Sequence, residues 1–285
     1  MLGCKYPIIL GAFEGYNNMK LTATISEAGG CGVLTASYFK NEDEFKDAIQ
    51  YIKNTTKFPF GINFSASSNV KSEKIFFRFL NVAKEEGVKI VTTAASRMES
   101  FGKQVHDNEM IWIHKATTMR HAISGEKMGA DAVILTGLEG GGLKNPNQNT
   151  FLINMVNANR LLKKPVIASG GISNGRGLLA ALILGAQAIH SCTAFLATTE
   201  SPIPEAWKQR IIETDCFDPQ FIKKVCHFTS NKPSYTDISM AAGPIKKIIS
   251  AKELVNNIIG EAESILKNLG FEKNVIDFSD LSDIF

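Results

Sequence analysis

The chain has 285 residues, of which 44% are hydrophobic and 21% charged, with a formal net charge of +3. That length buries a large core, and one α/β barrel of about 250 residues is an ordinary use of it. The small charge, spread without a basic run, excludes the electrostatic footprint of a nucleic-acid binder, and no stretch of about eighteen apolar residues predicts a membrane span. The five cysteines, Cys4, Cys31, Cys192, Cys216 and Cys226, form no CxxC pair and no metal-ligand spacing, so no metal is expected. An odd count is a poor disulfide framework. With no charged-then-apolar leader at Met1, the reading is a cytoplasmic protein.

In chain order, the first apolar run is Pro7 to Leu10, closed by Gly11, and a helix is predicted from Asn18 to Ala28 before Gly29 and Gly30. Cys31 to Thr35 is the second run, followed by a polar helix carrying Glu42, Glu44 and Lys46. Phe60 to Phe64 is the third, broken by SASSN, with a helix over Glu73 to Glu86. Lys89 to Thr92 is the fourth, ending in TTAAS, and Met110 to His114 the fifth. Ala132 to Leu135, Pro165 to Ser169 and Ala186 to Ser191 complete the series. Apolar runs separated by helix-length segments are the rhythm of β/α repetition. A doubly wound sheet shares that rhythm, but no GxGxxG follows the first run, which favours a (β/α)8 TIM barrel over residues 1–199.

The stretch from Pro165 to Phe195, PVIASGGISNGRGLLAALILGAQAIHSCTAF, predicts the phosphate cup of such a barrel. Small residues let backbone approach an anion, and a helix starting near Ser173 and Asn174 would aim free N–H groups at it. Past Glu200 the rhythm stops. Residues 200–245 read as a small, mainly helical excursion without a strong strand that could cap the barrel mouth. Residues 246–285 hold a long amphipathic helix, Ala251 to Leu269, returning to the barrel wall, and the tail FSDLSDIF.

At the exits of these strands the sequence resembles a known family. PIILGAF, SEAGGCGVL, FPFGINF, GVKIVTTAAS, HKATTMRHAISGEKMGADAVI, GLEGGG, PVIASGGISNGRGLLAALILGAQAI, TAFLATTES and SMAAGPIKKIISAKELV look like successive blocks of the nitronate monooxygenases, also called 2-nitropropane dioxygenases. The FMN-dependent enoyl-[acyl-carrier-protein] reductases are close relatives. The resemblance implies a barrel that binds FMN at the C-terminal ends of its strands. It implies that Gly11, Ala12 and Phe13 pass along the isoalloxazine ring, that Asn63 and Thr92 meet the flavin, and that Asn157 stands where relatives carry a glutamine near it. Ser169, Gly170 and Gly171 would form one wall of the phosphate cup and His190, Ser191, Cys192 and Thr193 the other. Lys115 would stabilise negative charge developing on the ring, and is the first catalytic candidate. His114 is the second, against a reading as a structural histidine on the other side of its strand. His121 reads as structural, and His106 and His227 as solvated.

The departures from the family bear on the reaction. Where the family runs Glu-x-Gly-Gly-His, with the histidine as base, this chain reads Glu139-Gly140-Gly141-Gly142-Leu143. Leucine accepts no proton, so abstraction from a neutral nitroalkane would lose about 10^2- to 10^4-fold in rate, whereas an already anionic nitronate needs no base. Lys144 would substitute only if burial lowered its pKa, and the glycine-rich loop predicts a solvated position instead. In the cup, His190 and Cys192 replace the family's glutamine and glycine; a protonated His190 would favour an anion. Pro244 replaces a further glutamine and removes a backbone donor.

Three readings follow: an FMN-dependent oxidoreductase taking a small nitronate or similar carbanion with electrons passed to O2; an enoyl-thioester reductase using NAD(P)H; and a flavin-binding barrel whose chemistry has decayed into a scaffold. The substrate, oligomeric state and closure of the excursion over the flavin stay open at this level, a homo-oligomer included.

Overall fold

The computed structural model describes residues 1–66, 70–95, 98–226 and 234–271. His227 and the FSDLSDIF tail lie outside them. Eight parallel strands form one sheet nearly closed into a barrel: β1 (Ile8–Leu10), β2 (Gly32–Thr35), β3 (Phe60–Ala66), β4 (Ile90–Ala95), β5 (Ile111–Ala116), β6 (Ala132–Thr136), β8 (Val166–Ser169) and β9 (Ala188–Ser191). A separate short strand, β7 (Gly142–Lys144), lies between the sixth and seventh of these. Each barrel strand pairs in parallel with its neighbour, β1 with β9, and the seam between β1 and β2 is bridged at Ile9 and Cys31. There Cys31 N–H donates to Ile8 O at 2.8 Å and Leu10 N–H to Cys31 O at 2.9 Å. The (β/α)8 TIM barrel expected from the sequence is therefore the observed fold.

The helices between strands are α1 (Met19–Glu27), α2 (Glu42–Thr55), α3 (Val70–Glu85), α4 (Glu99–Asp107), α5 (Met119–Lys127), α6 (Phe151–Leu161) and α7 (Gly175–Ile183). Asn41, Thr118 and Asn174 cap α2, α5 and α7, each side chain accepting a backbone N–H of the first turn, where the helix leaves donors unsatisfied. The strands are apolar on both faces because the barrel interior covers one and the helices the other. One core cluster joins β1, β6, β8 and β9 to the last helix, and a second, rich in phenylalanine, fills the space around β2 to β5.

Three strands run further than their apolar runs predict. β3, β4 and β5 continue through residues whose side chains are small or polar, to Ala66, Ala95 and Ala116, because the ladder with a neighbouring strand carries on that far, Ala66 opposite Ala95 and Ala116 opposite Leu135. Lys115 consequently belongs to β5 rather than following it.

Beyond β9 come α8 (Thr193–Leu196), α9 (Glu205–Glu213), α10 (Pro219–Cys226), β10 (Ser234–Thr236) and α11 (Ala251–Asn268). The excursion was expected to lack a strand, yet β10 pairs antiparallel with β7, Tyr235 opposite Leu143. Each strand is three residues long and neither carries an apolar alternation, so no periodicity betrays them. A third cluster, with Leu196, Ile203, Ile211, Ile238 and Ala242, packs this excursion against Phe13 and Tyr16 at the barrel rim. Among the described residues no helix is long and apolar enough to cross a membrane, and no group of side chains could hold a metal ion.

Candidate active site

The C-terminal ends of the strands open into a cleft of about 710 Å³, counting its mouth. Its floor and one wall come from Lys115 on β5, Thr136 on β6, Ser169 on β8, and His190 and Ser191 on β9. Side-chain alternation explains which residues reach it. On β4 and β5, Thr93, Trp112 and His114 face the helices: Trp112 Nε1 donates to Thr93 Oγ1 at 2.8 Å, and His114 Nδ1 lies 2.8 Å from the same oxygen. A Cβ on Gly125 of α5 would sit 2.8 Å from the His114 ring, and one on Gly102 of α4 would sit 2.2 Å from Trp112. Thr92, Ile113 and Lys115 therefore face inward. His114 is thus no candidate for chemistry in the cleft. Burial among apolar groups holds its pKa down at about 4, with a further contribution from nearby His121.

Lys115 has no hydrogen-bond or ion-pair partner among the described residues, although it stands in the cleft. Burial lowers its pKa, and the Cys192 thiol opposes that shift. Across from it His190 is 5% exposed, its Nδ1 3.0 Å from Ser169 Oγ. Burial and the adjacent Lys115 charge push the His190 pKa well below its ordinary value, so the ring is neutral at neutral pH. The expectation that a protonated His190 attracts the anion is corrected on that ground: charging the buried ring beside the Lys115 cation is too costly.

The cup is built from two turns. Gly170 has φ of 101° and Gly171 of 75°, the left-handed region that a side chain avoids, and a Cβ on Gly170 would sit 2.9 Å from Gly137 O. Cys192, which replaces the family's glycine, has φ of −117°, so its side chain costs no backbone strain. Its room is supplied by Gly11: a Cβ there would lie 2.6 Å from Cys192 Cβ. Burial raises the thiol pKa to about 11. Ser191 Oγ donates to Ile172 O at 2.8 Å, tying the two turns together, and Ser239 Oγ donates to Thr193 Oγ1 at 2.9 Å, tying the cup to the excursion.

The N–H groups of Gly171, Thr193 and Ala194 have no protein acceptor among the described residues, and the buried Thr136 hydroxyl has no partner. Unsatisfied donors beside a glycine-lined hollow suit a phosphate, and the residues present fit the phosphate of a flavin nucleotide. The start of α7, by contrast, is not available. Gly175 N–H donates to Glu261 Oε2 on α11 at 2.8 Å and Gly177 N–H to Asn174 Oδ1 at 3.0 Å. The carboxylate of α11 already occupies the helix terminus that the sequence suggested for the anion.

Other expected residues scatter. Ala12 and Phe13 line the cleft, while Gly11 lies behind them against Cys192. Asn63 and Thr92 face the barrel interior and bond to each other, Asn63 Nδ2 donating to Thr92 Oγ1 at 2.9 Å, beside the cleft rather than in its lining. Asn157 is on the outside of α6, its Nδ2 donating to Ile153 O at 2.9 Å. Leu143 is 46% exposed and outside the cleft lining, to which its neighbours Gly142 and Tyr235 belong. Lys144 is 1% exposed, against the expectation of a solvated side chain. Its ammonium donates to the carbonyls of Leu138 and Gly140, and burial lowers its pKa to about 8. Strand alternation across β7 sends Leu143 out and Lys144 in.

Several lining residues carried no sequence signal. Glu14, Trp207, Tyr235 and Asp237 form the mouth, with Phe13, Tyr16 and Trp207 in a tilted aromatic row whose centroids are 6.4 and 6.3 Å apart. Glu139 accepts the Phe151 N–H at 2.8 Å at the start of α6, which fixes the glycine loop that follows it.

Comparison with known proteins agrees with this geometry. The family model described as nitronate monooxygenase matches residues 1–227. A probable nitronate monooxygenase of Staphylococcus aureus (strain MSSA476) is 30% identical, covering 92% of this chain and 90% of that protein. A Mycobacterium tuberculosis protein, (3aS,4S,5R,7aS)-5-hydroxy-7a-methyl-1-oxo-octahydro-1H-indene-4-carboxyl-CoA dehydrogenase, is 31% identical over 75% of this chain and 59% of its own length. Among solved structures, FabK from Thermotoga maritima superposes with a TM-score of 0.80 at 26% identity, covering 94% of this chain and 96% of that one. The family model spans most of the chain and the Staphylococcus aureus protein aligns over nearly all of it, so the chain belongs to the nitronate monooxygenase family of flavin-dependent oxidoreductases.

Proposed function

We propose that the chain is an FMN-dependent oxidoreductase that takes a small nitronate or similarly stabilised carbanion and passes its electrons to O2. The observation that carries this reading is Lys115: a half-buried lysine in the cleft lining, without a hydrogen-bond or ion-pair partner among the described residues, beside a glycine-lined anion cradle. Leaving a cation unpaired in a partly buried site is costly, and the cost is recovered when an anionic or electron-rich group sits against it. FMN supplies the two-electron acceptor when bound. Gly170, Gly171, Thr193 and Ala194 would hold its phosphate through backbone N–H groups, and Lys115 would hold negative charge on the ring by a fixed positive charge that needs no reorganisation.

Among the described residues His190, neutral and buried, is the one histidine that lines the cleft, and its Nδ1 is engaged with Ser169. The cleft therefore suits a substrate that arrives as the carbanion and needs no proton removed. A second reading, an enoyl-thioester reductase using NAD(P)H, is supported by the likeness to FabK. Anaerobic titration of purified, flavin-loaded protein separates them: bleaching by an alkyl nitronate without NAD(P)H is expected, while bleaching by NAD(P)H alone, with no response to nitronates, overturns the first reading. A colourless protein that takes up no FMN would support the scaffold reading instead.

A further inference from the structure

Loss of the family's histidine at position 143 leaves the question of what holds the reacting end of the substrate over the cleft. The β7–β10 ladder supplies a candidate. Tyr235 is the direct cross-strand partner of Leu143, so the two side chains leave the same face of the ladder, and of the two it is the longer Tyr235 that reaches the cleft lining. It stands at the mouth, opposite the floor that holds Lys115, with Phe13 and Trp207 completing an aromatic rim. A hydroxyl there can donate one hydrogen bond into the cleft without removing a proton from anything.

We infer that Tyr235 anchors the substrate, its phenolic hydroxyl donating to an oxygen of the bound nitronate while Lys115 lies beneath. This rests on the carbanion reading above and deepens it: the substrate class is one whose negative charge is carried on oxygen, as in a nitronate or an enolate, rather than on carbon alone. The surroundings keep Tyr235 a donor. Desolvation, the Cys192 thiol and the carboxylates of Asp237 and Glu14 all raise its pKa, so it holds its proton through the neutral range. Cys192 is itself held protonated, and the two carboxylates at the mouth cannot donate when ionised. Tyr235 is therefore a neutral donor at that end of the cleft, alongside the Trp207 indole, and the one that presents a hydroxyl. The arrangement differs from a histidine base in kind: it binds an anion already formed and does not create one.

The test is anaerobic stopped-flow reduction of the flavin-loaded protein by ethylnitronate, which separates the substrate dissociation constant from the limiting reduction rate. Tyr235→Phe removes one oxygen from a side chain that is 64% exposed, so flavin content and melting temperature are expected to match wild type. The dissociation constant is expected to rise ~10- to 100-fold, the loss of one hydrogen bond to a charged oxygen, with the limiting rate changed much less. Leu143→Ala, the cross-strand neighbour on the same face of the ladder and outside the cleft lining, serves as the control for disturbance of the ladder and is expected to leave both constants unchanged. An unaltered dissociation constant in Tyr235→Phe, with wild type reduced normally, overturns the anchor and leaves the proposed function standing. An equal rise in Leu143→Ala also overturns it, because the effect then belongs to the ladder. Wild type that binds flavin but is not reduced by nitronate overturns both.

Discussion

The His190 imidazole lies 3.0 Å from the Ser169 hydroxyl, joining the ends of β8 and β9 directly beneath the two turns of the cup. Burial of the same ring, and next the nearby Lys115 charge, push its pKa well below the ordinary value. The floor of the cleft is thus set as one cation and one neutral imidazole.

That assignment predicts the effect of removing the cation. Lys115→Met should retain the fold, because the side chain makes no hydrogen bond or ion pair that holds it together, and should slow flavin reduction by nitronate about 10^2-fold, as loss of one preorganised electrostatic group does. Lys115→Arg should recover part of the rate. Stopped-flow reduction of the three proteins checks this, and a Met variant as fast as wild type would remove Lys115 from the mechanism.

The cup makes a steric prediction. Gly171→Val places a branched side chain at φ of 75°, where Cβ already comes within 3.1 Å of Glu139 Cβ, and fills the hollow the phosphate would occupy. The purified variant is expected to be colourless and to bind added FMN at least 10^2-fold more weakly. Flavin content equal to wild type would refute the cradle.

Position 143 gives a prediction opposite to the one that the motif alone suggests. A histidine there would restore a base only if it reached the flavin, and Leu143 is half exposed and outside the cleft lining. Leu143→His is therefore expected to leave the ratio of activity on neutral nitroalkane to activity on nitronate within about twofold of wild type. A selective gain on the nitroalkane of the order of general-base assistance, 10^2-fold or more, would show that β7 turns over when flavin is bound.

The buried histidines predict how stability depends on pH. His114, at about 4, lies below the ordinary value of 6.5 that it has when unfolded. The unfolded chain therefore takes up a proton first as pH falls, so stability is full above 6.5 and is lost between there and about 4. His114 alone should cost about 2 kcal/mol between pH 7 and pH 5, and His190, shifted the same way, adds to it. Urea unfolding at the two pH values checks the slope. His114→Gln, which cannot titrate, should flatten it by that amount even if its absolute stability is lower.

Much of the molecule is legible in the sequence because it is written in short-range pattern. The barrel strands are apolar runs buried on both faces, the intervening helices carry caps and amphipathic spacing, and Gly170 and Gly171 mark a backbone that no other residue adopts comfortably. These features fixed the barrel, its order and its family resemblance. They were also enough to bring Lys115, Ser169, His190 and Cys192 to one end of it.

What tertiary structure decided was the direction of side chains and the occupancy of backbone groups. His114 and Lys115 are adjacent in sequence, yet pairing of β5 on both sides sends one to the helices and the other to the cleft. The terminus of α7 looked open until Glu261, 86 residues away from Gly175, was seen to fill it. Tyr235 had no sequence signal at all, because its place depends on a three-residue ladder with β7. The same ladder turns Leu143 out and buries Lys144. Local periodicity specifies elements, whereas which face of an element meets which neighbour is settled only when distant segments pack, and in this chain that settles where the charges of the cleft stand.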